Sequence, residues 1–307
     1  MIQKIENLPE FDVLAVIINV DTKIPASLAL FSAMRYTKFP VLIVDCSKDG
    51  RELSFFERLQ NEYDFYLTSL PLNIHGKTID YLFLNIKAKA LLLLDSDAEI
   101  LSPFLFNPDS FENGGGGGPS MSLLDDNVFG CGFFQKFGRM SNASIRGGKF
   151  CCSAERMYIP CVLLKTFHVR EALSAGCSFA AKKVYNDFPL APIISKLIYF
   201  RFFFKFFQNH DIPALRLFRR IYFDYYKPSM IYYDTGAEVY MYLKYALNYD
   251  YIGLPVRYVS AYLAHYHGIT RKILNNKDRN STSYNDIIEK VKESLKVKYN
   301  WTCPPDV

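Results

Sequence analysis

Residues 12–18, Asp-Val-Leu-Ala-Val-Ile-Ile, form a nearly continuous apolar run with β-branched members. That pattern predicts a parallel strand covered on both faces. A helix is expected from about Pro25 to Tyr36, its proline in the first turn, where a missing N–H costs nothing. Pro40 to Asp45 reads as a second buried strand, and it ends in a carboxylate. Glu52 to Asn61 suits a short helix, Asp64 to Leu67 a third strand, and Gly76 to Lys89 another helix. Ala90 to Leu94 is a fourth strand, with Asp95-Ser96-Asp97-Ala98-Glu99 directly beyond its end. Strands alternating with helices across short connections predict a parallel α/β sheet. Ligands of such sheets sit outside the carboxyl ends of the strands. Asn19, Asp45 and Asp95 all fall at such ends, so one crevice is expected to gather them.

The pattern is less regular beyond residue 102. Gly114 to Gly118, five consecutive glycines, hold neither helix nor strand. They are either a natural glycine loop or an engineered linker in place of one. Met121 to Leu124 suits a strand, while 162–182 and 193–207 read as helical. A short strand or turn around 230–234 precedes a helix from Thr235 to Leu247. Tyr251 to Pro255 forms a last strand, and the polar stretch after Thr270 is helical near 284–296. There is no internal repeat.

Composition narrows the class. Half of the 307 residues are apolar and 22% are charged, as in a folded globular protein. Aromatic residues make up 16%, many of them between 198 and 266. The net charge of +5 is concentrated: residues 193–227 hold seven basic side chains against two acidic ones. Aromatic and basic residues mixed this densely suit a helix lying on an anionic membrane surface. The other reading is a core helix whose cations reach out to solvent. Nucleic-acid binding is not expected, because nothing else in the chain resembles a nucleic-acid fold. The start of the sequence lacks a signal-peptide pattern and no run is long enough to span a membrane, so a cytoplasmic location is expected, with peripheral contact at the inner face of the plasma membrane through 193–227. Seven cysteines without a CxxC pair imply reduced thiols and no thiolate metal site.

Asp95-Ser96-Asp97 is the sharpest chemical feature. Two carboxylates one residue apart at a strand end can aim at a common point. A hard cation such as Mg²⁺ or Mn²⁺ takes oxygen ligands from one or two carboxylates together with phosphates. The segment from Leu91 to Leu101 resembles the D-x-D region of GT-A-fold glycosyltransferases, especially family-2-like ones. Asn73-Ile-His75-Gly76-Lys77-Thr-Ile-Asp80 is similar to the loop and helix before that strand, where a glycine permits close approach. The likeness covers residues 12–101 in good order. It implies a GT-A fold: α/β, Rossmann-like, a mostly parallel central sheet flanked by helices, here with a helical, aromatic-rich C-terminal part. One domain over 1–270 is expected, with a nucleotide-sugar half to about 112 and an acceptor half from about 119, then a tail over 271–307. The resemblance further implies a nucleotide-sugar donor and a divalent metal. Donor-binding residues are then expected at Asn19, Asp45, His75, Gly76, Lys77, Asp95, Ser96 and Asp97. Asp45 is otherwise a helix N-terminal or turn carboxylate.

Two later groups complete the expected site. Transfer with inversion needs a carboxylate to take the proton of the attacking acceptor hydroxyl. Asp234 and Glu238, four apart and so on one helical face, are the candidates, with Asp234 preferred. Asp234 is also a good N-cap. In His265-Tyr-His267-Gly268-Ile-Thr270-Arg271, His-x-Gly resembles a late GT-A element that completes the metal shell. His267 is the expected ligand beside Asp95 and Asp97, with His265 in reserve and Arg271 facing the diphosphate. Asp125-Asp126 is a weaker pair, and Pro160 to Leu164 resembles a strand after the acceptor region, with Cys161 in the core. The expected activity is transfer of a sugar, from a UDP-sugar, to a glycan or lipid-linked saccharide of an envelope polysaccharide. A nucleotidyltransferase is the rival, although Asn19 to Pro25 holds no glycine for a phosphate loop. A non-catalytic nucleotide- or membrane-binding protein is the other.

Overall fold

The computed structural model describes residues 2–102, 126–135, 138–139, 151–153, 155–185, 230–266 and 282–304. The expectations for Gly114–Gly118, Met121–Leu124, Asp125, residues 193–227, His267 and Arg271 lie outside the described residues.

Seven strands make the central sheet: β1 (Phe11–Asn19), β2 (Val41–Asp45), β3 (Tyr66–Ser69), β4 (Ala88–Asp95), β6 (Val128–Gln135), β9 (Arg156–Lys165) and β12 (Asp250–Pro255). Their order is β12-β6-β9-β4-β1-β2-β3. Only β9 runs against its neighbours, pairing antiparallel with β4 and β6. This is the mostly parallel α/β sheet, flanked by helices, that the GT-A resemblance implies. A two-stranded ladder joins β5 (Ala98–Ile100) to β13 (Leu263–His265). A smaller sheet holds β7 (Gly138–Arg139), β8 (Cys151–Ser153), β10 (Lys182–Tyr185) and β11 (Met230–Tyr233).

The run of leucines in β4 is apolar throughout because both of its faces are covered. Leu92 and Leu94 enter one core with α1 (Lys23–Tyr36), α2 (Leu53–Gln60) and α6 (Thr282–Tyr299). Leu91 and Leu93 enter the other, with α3 (His75–Asn85), α4 (Thr166–Ser174) and α5 (Ala237–Met241). Each fully buried leucine contributes about 1.5–3 kcal/mol. β1 divides in the same way, with Val13, Ala15 and Ile17 on one side and Leu14, Val16 and Ile18 on the other. The C-terminal stretch contributes Val291, Leu295 and Trp301 to the first core, and Arg35 donates to the Lys298 carbonyl at 2.9 Å.

Several boundaries differ from the sequence expectation. The helix expected to reach Lys89 ends at Asn85, because Ile86 turns extended and the strand starts at Ala88, three residues after that end. Residues 162–165 are strand rather than helix. Cys161 to Lys165 pair with Leu94 to Ala90, and periodicity alone cannot separate a short buried strand from a buried helix. The helix expected from Thr235 begins at Ala237 and passes into a π-helical turn over Tyr242–Ala246. Asp234 does not cap it: Gly236, at φ +76°, occupies the N-cap without any side-chain cap. Among the described residues no helix is long and apolar enough to cross a membrane.

Gly76 sits where α3 meets the loop before β10. A Cβ there would lie 2.4 Å from Phe179 C and O and from Ala180 N, all backbone atoms. The loop is held by Asp80, which accepts from Phe179 N at 2.8 Å and Ser178 Oγ at 2.5 Å. Gly76→Ala therefore lowers unfolding free energy by about 1–3 kcal/mol. Urea denaturation reads this directly, and an unchanged midpoint would refute the close approach.

Candidate functional site

β4 leaves the sheet at Asp95, and the next two residues turn into β5. Antiparallel pairing with β13 sets His265 opposite Ala98, and Tyr266 N donates to the Asp97 carbonyl at 2.9 Å. His265 Nε2 consequently lies 3.0 Å from Asp97 Oδ1 and 3.9 Å from Asp95 Oδ2. One ligand atom from each of Asp95, Asp97 and His265 falls within 4.8 Å of the others. Two carboxylates and an imidazole are a donor set that suits Mn²⁺, and Mg²⁺ through its oxygens. The residues present therefore fit the divalent metal that the resemblance implies. Asp97 is buried and Asp95 retains a quarter of its side-chain exposure. Desolvation raises the Asp95 pKa; His75 and His265 oppose the rise, and the Asp97 carboxylate adds to it.

Tyr158, on β9, holds the far side of the imidazole, its hydroxyl 2.8 Å from His265 Nδ1. Burial, then the charges of Asp95 and Asp97, push its phenol pKa up to about 12.

Asn19 and Asp45 end adjacent strands, as expected, but both are fully buried and engaged with one another. The Asn19 amide gives one N–H to Asp45 Oδ1 at 2.8 Å and the other to Glu52 Oε2 at 2.9 Å. Its oxygen accepts from Thr22 N and the Thr22 hydroxyl. Ser47 donates to Asp45 through both its N–H and its hydroxyl. Thr22 Oγ1 lies 2.8 Å from Ser96 Oγ, which ties this network to the Asp95–Asp97 turn.

His75, at the start of α3, comes within 3.9 Å of Asp95 Oδ1, whereas Lys77 turns to Asp80 at 3.3 Å. Gly76 faces the 179–180 backbone. Asp234 and Glu238 do not share a helical face. Asp234 pairs with Arg156, whose guanidinium also donates to Gln135 Oε1 at 2.9 and 3.1 Å. Glu238 pairs with Lys182 and accepts from Ser178 N at 3.2 Å. Asp126 lies in a turn, its carbonyl 2.8 Å from His168 Nε2. Cys161 is fully buried in the core.

Sequence reasoning missed four participants. Glu99, fully buried, accepts from Lys298 at 2.8 Å, Tyr299 at 3.1 Å and Tyr266 at 3.2 Å. It lies two residues beyond Asp97, which was the available signal. Tyr158 and Arg156 carry no local signal, because their partners are 107 and 78 residues away. Glu52 was read only as a helix start. It is instead a buried carboxylate whose pKa is raised, chiefly by desolvation.

No family model matches the sequence, and no curated protein does. Among solved structures the chain is similar to TarS of S. aureus, at 17% identity and a TM-score of 0.31. That match covers 53% of this chain and 30% of TarS, so the chain spans less than a third of that protein. With TarS residues 1–349 the identity is 14% and the TM-score 0.34, over 94% of this chain and 75% of that one. A mannosyltransferase, PcManGT from Pyrobaculum calidifontis in complex with GDP-Man and Mn²⁺, gives 12% and 0.36 over 98% and 74%. A 4-diphosphocytidyl-2C-methyl-D-erythritol synthase from Anaerococcus prevotii gives 8% and 0.35 over 54% and 75%. Likeness at this level leaves activity to be argued from the site.

Glu52 generates a pH prediction. Its folded pKa lies above the ordinary 4.5, so its contribution to stability is complete below that pH. The contribution is lost as pH rises through the folded value. Glu52→Gln removes this titration, so the variant gains on the wild type progressively as pH rises from 4 to 7. Urea melts across that range measure it, and a pH-independent difference would contradict the assignment.

Proposed function

We propose that the chain is a metal-dependent glycosyltransferase of GT-A type, using a nucleotide-sugar donor. The observation that supports this reading most is the convergence of Asp95, Asp97 and His265 at the carboxyl end of β4. A divalent cation held there supplies positive charge to a diphosphate as its bond to the sugar breaks. Asp95 and Asp97 supply carboxylate oxygens to that cation and His265 the imidazole. Ser96 keeps the turn in place through Thr22. His75 stands beside Asp95 at the start of α3, and Asn19 and Asp45 brace the donor side from within, through the buried network that Thr22 joins to Ser96.

In this reading the donor is a UDP-sugar and the acceptor a glycan or lipid-linked saccharide of an envelope polymer. The transfer inverts the anomeric centre. Asp234 takes the acceptor proton, with Glu238 as the second candidate. Asp234 is held in place by its ion pair with Arg156. Residues 193–227 provide peripheral contact with the cytoplasmic membrane face.

A screen of nucleotide sugars by thermal shift, with and without Mn²⁺, tests the reading, because a true donor stabilises the native state by mass action. The expected result is a Mn²⁺-dependent shift with a UDP-sugar, accompanied by slow hydrolysis of it. Asp97→Ala is expected to bring hydrolysis to background with the far-UV spectrum unchanged. A wild type that neither binds nor turns over any nucleotide sugar with Mn²⁺ would sink the proposal.

A further inference from the structure

His265 presents its two ring nitrogens to different partners. Nε2 faces the carboxylates, 3.0 Å from Asp97 Oδ1, and Nδ1 faces the Tyr158 hydroxyl at 2.8 Å. A neutral imidazole carries a single N–H, and the other nitrogen offers a lone pair. With the proton on Nε2, the ring donates to Asp97 and accepts from Tyr158. With the proton on Nδ1, the ring donates to the Tyr158 oxygen, and the Nε2 lone pair is directed at the carboxylate group. Only the second arrangement lets Nε2 ligate a cation. A hydroxyl can donate or accept, so the same phenol satisfies both forms without moving.

We infer that Tyr158 is a positioning residue that lets His265 exchange tautomers, donating to Nδ1 without a cation and accepting from it when one is bound. The inference rests on the metal-centre reading given above. Its physical basis is general: a ligating histidine needs a partner for its other nitrogen, and losing that partner costs about 10–100-fold in metal affinity. Tyr158 reaches the ring from β9, with its own ring edge-on to Phe133 and to the imidazole. Tyr158→Phe keeps those ring contacts and removes only the hydroxyl.

Two readouts on the full chain test it, neither of them activity. Long-range ¹H–¹⁵N spectra of the five histidines, with His265 assigned by its loss in His265→Gln, report which nitrogen carries the proton. The proton is expected on Nε2 without a cation and on Nδ1 with saturating Zn²⁺, a diamagnetic cation that takes imidazole nitrogen as well as carboxylate oxygen. Mn²⁺ titration followed by electron paramagnetic resonance then gives the affinity. Tyr158→Phe is expected to raise Kd by about 10–100-fold with its thermal midpoint retained. Tyr249→Phe, which removes a phenol from Glu171 elsewhere, is expected to leave Kd unchanged. Equal affinity in Tyr158→Phe and wild type, or the same protonated nitrogen with and without Zn²⁺, overturns the role of Tyr158 alone. A wild type that binds no Mn²⁺ overturns the metal centre, and this inference with it.

Discussion

Leu91 to Leu94 lie between β1 and β9 with apolar layers above and below, and Asp95 is where the chain first leaves that environment. A carboxylate buried inside the layer would lose its hydration without compensation. At the strand end it keeps partial access to water, and the turn that follows brings a second carboxylate beside the first. Everything around the site answers this concentration of negative charge. His265 approaches from β13 and His75 from α3, while Ser96 is fastened to Thr22. The sheet gives position, and β13 and α3 give electrostatic relief.

Support for the turn comes from further away than the local chain. Glu99 carries a buried charge on β5 and receives Lys298, Tyr299 and Tyr266. Full desolvation of a carboxylate is tolerated because it gains a cation and two phenols at once. The same interaction docks the C-terminal helix on the edge of the site, where Tyr299 and Trp301 pack around Phe31 of α1. Behind β1 and β2 a second buried acidic pair, Asp45 and Glu52, shares the two protons of the Asn19 amide. Both halves of the site thus rest on carboxylates that are enclosed and fully engaged.

The parallel half of the sheet was legible because each of its strands is a short apolar run with a polar residue at its exit. Asp95 and Asp97 were found on that basis. β6 was hidden by its glycines: a Cβ on Gly130 would meet Leu163 O and Leu164 at 2.6 Å, so close strand packing removed the usual β-branched signal. β13 is only three residues long, and its register with β5, which selects His265, is a long-range fact without local signature. His-x-Gly pointed to His267, which lies outside the described residues. Asp234 and Glu238 were linked through helical spacing, but that helix starts after Asp234, and each carboxylate finds its own cation.

The distance in sequence between Asp97 and His265, 168 residues, has a consequence for how the molecule comes into being. A chain leaving the ribosome displays both aspartates long before the imidazole exists. Contacts of such separation close late, since loop closure must precede any reward from the contact. The acidic corner therefore stays incomplete until synthesis has passed residue 265. Lys298, 199 residues from Glu99, arrives later still. The part of the fold with the most chemistry thus depends on residues from the far end of the chain.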